Sequence, residues 1–223
     1  MKYLVLVVLP ILLSACVGPQ DPVTYLNNWN VHNYSSKGFD HCKGYGCRLI
    51  DHVQLDKKSW RTIDSHFRRA PKNAEEERAR LKPVIGAFER IVGPITGTDT
   101  DVRDTFYKLG DDQLDCVDES VNTTTYLLML QERGHIKFHE IEQPTARPIL
   151  LAGNRWPHQA AVIRDKETQA RYVVDSWFED SGADAYVVPV KEWRHGWSPR
   201  KAREKKAREE ALENAHKISR APK

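Results

Sequence analysis

Apolar positions along the chain fall first at helical spacings and then in strand-like runs. Trp60, Ile63 and Phe67 recur at i, i+3 and i+7 among Lys and Arg, which predicts a helix from Asp56 that Pro71 ends. A second helix is expected over 73–92. Asn73 can cap it, Glu75, Glu76 and Glu77 suit its positive end, and Leu81, Ile85, Phe88 and Val92 line one face. Pro83 lacks a backbone donor, so a kink or break is expected there. Gly93-Pro94 and the run Thr96-Gly97-Thr98-Asp99 read as a loop. A third helix should begin near Cys116, carry Val117, Val121, Leu127 and Leu128 on its apolar side, and stop at Gly134.

After Gly134 the alphabet changes to short runs of β-formers at 135–141, 158–164, 171–177 and 186–190, with turn residues between them. Helices first and strands afterwards predict an α+β fold, its helices packed on a mostly antiparallel sheet. Residues 23–54 are aromatic- and Asn-rich with little periodicity, and read as an irregular layer or short strands around a Cys loop. The expected domain therefore covers 23–198. Beyond it, 199–223 is a charged tail, helical or disordered, with mixed charges at i,i+4 and no apolar stripe. Such a tail could attract an anionic envelope surface.

The first residues form an address. One Lys precedes an apolar run from Tyr3 to Leu13, which suits a secretory signal and is too short to span a bilayer. Leu13-Ser14-Ala15-Cys16 follows and resembles the lipobox of bacterial lipoproteins, in which the Cys thiol receives diacylglycerol and the bond before it is cut. The alternative is an ordinary signal peptide that contains a Cys. The lipobox implies a signal peptide over 1–15, lipid on Cys16 and an extended tether over 16–22. Two acyl chains on one residue anchor stably where one is marginal. By resemblance to Gram-negative lipoproteins, Val17 in place of Asp implies the outer membrane, with the protein facing the periplasm.

Composition narrows the function classes. The 223 residues are 40% hydrophobic and 29% charged, which suits one soluble domain with appendages. A net charge of +3 from 34 Lys+Arg and 31 Asp+Glu is no nucleic-acid footprint, and no zinc-finger or RNP spacing appears. Neither a nucleic-acid partner nor a cofactor is expected. Setting Cys16 aside leaves Cys42, Cys47 and Cys116. Two glycines between Cys42 and Cys47 permit a tight loop, so a local disulfide is expected in an oxidising compartment. Free thiols, or a metal site drawing on His32, His41 or His52, are the alternatives. Cys116 is left unpaired.

A Cys in the first turn of a helix sees the positive end of the macrodipole, which favours thiolate. The acids around it, in Gly110-Asp-Asp-Gln-Leu-Asp-Cys116-Val-Asp-Glu, push the other way. Such a thiol also needs a His. His158 opens one expected strand and Asp175 lies on the next. A hairpin turn centred on Lys166 and Glu167 would set them directly opposite each other. Gln113 could point an amide at an oxyanion or fill a polar loop, and Trp156 and Trp177 could wall the imidazole or pack in the core or at its rim.

Asp115-Cys116-Val-Asp118-Glu at a helix start, Pro157-His158-Gln-Ala-Ala-Val on one strand and Val-Val-Asp175-Ser-Trp177 on the next resemble the transglutaminase-like cysteine proteinase superfamily, and within it the bacterial transglutaminase-like cysteine proteinases. The resemblance covers about 110–177. It implies a papain-like fold whose nucleophile helix packs on the sheet, with Cys116 as nucleophile, His158 as base and then acid, and Asp175 orienting the His. The implied substrate is a protein or peptide. Some members bind calcium through acids flanking the Cys. Asp115 and Asp118 hold such positions, but Val117 stands where a Glu is often found. With water as acceptor the site is a peptidase, and with an amine it is a transglutaminase or amidase. A non-enzymatic envelope binding protein with an inert site is the rival class.

Overall fold

Four helices begin immediately after an Asp or Asn whose side chain takes the free N–H groups of the first turn. Asp21 caps α1 (Pro22–Asn28), Asp56 caps α2 (Lys57–Ser65), Asn73 caps α3 (Ala74–Thr96) and Asp115 caps α4 (Cys116–Glu132). A short α5 (Val190–Arg194) and a long α6 (Pro199–Ser219) follow. This computed structural model describes residues 21–105, 110–147 and 157–219, with 212–219 through their backbone alone. The lipobox with Cys16, and Trp156, lie outside the described residues. Among the described residues no helix is long and apolar enough to cross a membrane.

Two antiparallel sheets complete an α+β fold. The first has the order β1 (Tyr34–Ser35), β2 (Gly38–Lys43), β3 (Leu49–Val53). The second has the order β4 (His139–Ala146), β5 (Gln159–Asp165), β6 (Arg171–Asp175), β7 (Tyr186–Pro189). Alternation along β5 and β6 sorts side chains to two faces. Ala161, Ile163 and Val174 join Phe88, Tyr126 and Leu127 in the core beneath α3 and α4. Ala160, Val162 and Val173 join Val188, Val190 and Trp193 on the other face, under α5. Full burial of each large apolar side chain stabilises by roughly 1.5–3 kcal/mol, so this sheet is held from both sides.

Several elements depart from the sequence reading. Asp21 and Pro22 belong to the start of α1, so the expected tether over 16–22 does not run to its end as free chain. Within 23–54 the short strands expected around the Cys loop are present as the first sheet, and the departure there is α1. No break occurs at Pro83. α3 runs through both Pro83 and Pro94, because Leu81, Val84, Ile85, Phe88 and Val92 are fully buried along one side and burial outweighs the hydrogen bond lost at each proline. It ends instead at Gly97, whose φ of 74° is left-handed and whose N–H returns to the Gly93 carbonyl. Gly86 lets α3 approach the next layer, since a Cβ there would lie 2.3 Å from the Ala183 carbonyl oxygen. β4 starts at His139, later than expected, because the Glu77 carboxylate takes the N–H groups of Lys137, Phe138 and His139 before the ladder begins.

The β5–β6 register also differs. Ala161 pairs with Val174 and Arg164 with Arg171, which centres the turn between Glu167 and Thr168. Asp165 Oδ1 accepts from Glu167 N and Thr168 N, and Gln169 adopts φ 61°, so the loop holds two residues more than expected on its far side. His158 and Asp175 are therefore not direct partners. The offset is two residues, which preserves the face. Continued outward, the ladder sets Trp177 beside His158.

Candidate active site

α4 is fixed at its first turn. Asp115 accepts from the N–H groups of Val117 and Asp118, both at 2.9 Å, and Asp118 accepts from Asp115 N at 3.2 Å, which closes a capping box. Cys116 occupies the first helical position.

The Cys42–Cys47 pair is a disulfide, and its loop docks on this helix. Asp118 is fully buried and also accepts from Tyr45 N at 2.8 Å and Cys47 N at 2.6 Å. Asn122 meets Cys42 twice: its Oδ1 accepts from Cys42 N at 2.7 Å and its Nδ2 donates to Cys42 O at 2.9 Å. Among the described residues, the one grouping of metal-ligand types is Cys42, Cys47 and Asp118, and its two sulfurs are joined to each other. The carboxylates of Asp115 and Asp118, the calcium candidates, are taken up by backbone donors.

His158 and Asp175 meet on the α5 face of the larger sheet. His158 Nε2 donates to Asp175 Oδ2 at 2.9 Å, and both side chains are almost completely buried. Trp193 Nε1 donates to the same oxygen at 2.7 Å. Three aromatic rings enclose the imidazole, with centroids at 4.4 Å (Trp177), 5.1 Å (Phe178) and 5.3 Å (Trp193). The Arg147 guanidinium lies 4.2 Å over the Trp193 ring, and Arg147 N donates to His158 O at 2.7 Å. Arg147 thus brings a cation near the buried Asp175, at the cost of its own desolvation. Among the described residues, His158 Nδ1 has no hydrogen-bond partner.

The Cys116 sulfur sits against the backbone on either side of His158. Its S–H donates to Pro157 O at 3.8 Å, and the Gln159 N–H adjoins the sulfur. The thiol bonds the backbone and not Nδ1. Burial pushes it up to about 12, the negative charges of Asp115 and Asp175 push the same way, and the Gln159 N–H opposes them. The macrodipole of α4 therefore does not decide its state. Cys116 rests as a thiol.

Of the residues singled out from sequence, the fold brings His158 and Asp175 together, lays Trp177 on the imidazole and sets Cys116 beside the same strand entrance. It does not bring Gln113 there. Gln113 Nε2 donates to Thr100 O and Asp112 Oδ2, and its Oε1 accepts from Val102 N, so this amide pins a loop and the oxyanion expectation is corrected. The unpartnered amide nearby is Gln159 Nε2, which is buried. Sequence reasoning missed Gln159, Arg147, Phe178 and Trp193. Only Trp193 left a trace, as the apolar i+3 partner of Val190 in a four-residue run.

Behind the site lies a set of buried acids. Glu119 Oε2 accepts from Ser176 Oγ at 2.5 Å, one residue beyond Asp175. Glu89 Oε2 accepts from Gly182 N at 2.8 Å, while its Oε1 has no partner among the described residues. Burial raises Glu89, Asp101 and Asp118 to about 7 and Glu119 well above the usual carboxylate range. The mutual repulsion of these acids adds to burial, so protons are retained among them at neutral pH.

No family model, no curated protein and no solved structure matches this chain.

Proposed function

We propose that this chain is a cell-envelope lipoprotein with a thiol acyl-transfer site, a cysteine peptidase of the transglutaminase-like kind. It would be exported, anchored by lipid on Cys16, and face the periplasm from the outer membrane. The observation that carries the chemistry is the buried His158–Asp175 pair, whose free Nδ1 belongs to the residue flanked by the backbone that holds the Cys116 sulfur.

Asp175 holds the proton on Nε2, which leaves Nδ1 as the basic nitrogen. Because Cys116 rests as a thiol, its proton passes to Nδ1 as the sulfur attacks the substrate carbonyl carbon. The carbonyl electrons move to oxygen, where the Cys116 N–H and the Gln159 amide are the available donors. Nδ1–H then protonates the leaving amine as the C–N bond breaks, giving a thioester. Water gives a proton to Nδ1, adds to the thioester and releases the acid, and the sulfur regains its proton. An amine in place of water would make the product an amide, the transglutaminase or amidase outcome.

A second reading, an envelope binding protein with an inert site, is favoured by the thiol bond to Pro157 O and by the rings closed over the imidazole. One experiment separates the two. A peptidyl thiol-directed inhibitor should add its mass to the wild type and not to Cys116→Ala, and peptide turnover should vanish in that variant. Equal turnover by Cys116→Ala, or no labelling of the wild type, would overturn the enzyme reading.

A further inference from the structure

A cavity of about 580 Å³ opens between α5 and the first turns of α6, within the size range of small-ligand sites. Its lining divides by chemistry. Pro189 and Trp197 give it apolar wall, while Lys191, Lys201 and Lys205 bring three cations against the single carboxylate of Glu192. Lys201 Nζ donates to Gly196 O at 2.9 Å, which fixes its head at the lip. Among the described residues, neither Lys191 nor Lys201 has a carboxylate partner, although most of α6's other cations do. Lys205 faces Glu209, but a concave apolar wall whose rim keeps Lys191 and Lys201 free of carboxylates complements an anionic occupant that also carries apolar groups.

The cavity shares a wall with the imidazole enclosure. The Trp197 ring lies 5.8 Å from Phe178, and Phe178 lies 5.1 Å from His158. Trp197 O accepts from Arg147 Nη2 at 2.9 Å, which ties the same wall to the far side of the enclosure.

We propose that this cavity docks an acidic, partly apolar stretch of the polypeptide substrate, on the far side of the Phe178–Trp197 wall from His158. The inference rests on the peptidase reading for the purpose that docking serves. A membrane surface is the weaker occupant. α6 has no apolar stripe to insert, and a flat bilayer reaches the lysine rim without filling the cavity.

The test uses the full chain carrying Cys116→Ala, so that nothing is turned over, and a fluorescent peptide of alternating glutamate and leucine. Fluorescence anisotropy should show binding that weakens with added salt, while a lysine–leucine peptide of equal length should not bind. Lys191→Glu combined with Lys201→Glu should weaken binding about tenfold or more, with an unchanged circular-dichroism spectrum, since both side chains are exposed. Equal binding of the two peptides, or no loss on charge reversal, would overturn the proposal. So would binding to phosphatidylglycerol vesicles without binding of the peptide. Because docking is read without turnover, a failure of the peptidase reading alone leaves this result standing.

Discussion

His158 and Asp175 are not cross-strand partners, yet Nε2 meets Oδ2 at 2.9 Å, because the β5–β6 ladder is offset by an even number of residues. The diagonal places Trp177 beside the imidazole and leaves Asp175 free to serve Trp193 as well. Asp175→Asn keeps the shape but offers His158 an amide that can donate to Nε2, which would move the ring proton to Nδ1. Turnover should fall about a thousandfold with KM little changed. The tautomer can be read independently by nitrogen NMR of His158, and a proton still on Nε2 in the variant would refute this account.

Where the signal was local, sequence and structure agree. Asp115, Cys116 and Gly134 mark the ends of α4, and each acts on its own backbone neighbourhood. The parity of the hairpin was legible too, from the alternation along its two strands. The exact register was not, because it depends on how the Asp165 side chain and the left-handed Gln169 share the turn. Pro83 misled because residues far along the chain bury the α3 face and hold the helix through it. Gln113 was open to either role in sequence, and only the fold shows its amide engaged by Thr100, Asp112 and Val102.

Alkylation of Cys116 should be slow at neutral pH. Burial and nearby acids hold the thiol at about 12, so the rate with iodoacetamide should climb steadily from pH 7 through 9 without a plateau. A plateau near neutrality would reveal a preformed thiolate–imidazolium pair and replace the concerted proton transfer described above.

The disulfide loop and α4 should fail together. Removing the Cys42–Cys47 bond should cost about 2 kcal/mol, the loop-entropy value for so short a ring, read by urea denaturation with and without reductant. Asp118→Ala should be worse than its position in a loop-facing turn suggests, by about 2 kcal/mol or more, because it strands the N–H groups of Tyr45, Cys47 and Asp115 at once. An Asp118→Ala protein as stable as the wild type would show that these bonds are dispensable.

The buried acids predict an alkaline cost. Glu89 is raised from the ordinary value near 4.5 to about 7, so the stability its neutral form permits is complete below pH 4.5 and is lost as pH rises through 7. His41 acts in the opposite direction. Its burial lowers it to about 3, so its contribution is present above pH 6.5 and lost on acidification. Glu89→Gln isolates the first effect. Its melting temperature should match the wild type near pH 4.5 and exceed it by about 5 °C near pH 8. A constant difference across that range would mean that Glu89 does not titrate there.

The paired bonds between Asn122 and Cys42 make one carboxamide stand in for a missing neighbouring strand. Asp there would face the Cys42 carbonyl with a second acceptor, Leu would satisfy neither group, and Gln would overreach. Any distant cousin of this architecture that keeps a thiol at the helix start but lacks an amide side chain six positions downstream must seat its first sheet by other means. Without the Asn122 carboxamide, the edge of β2 at Cys42 would stand open.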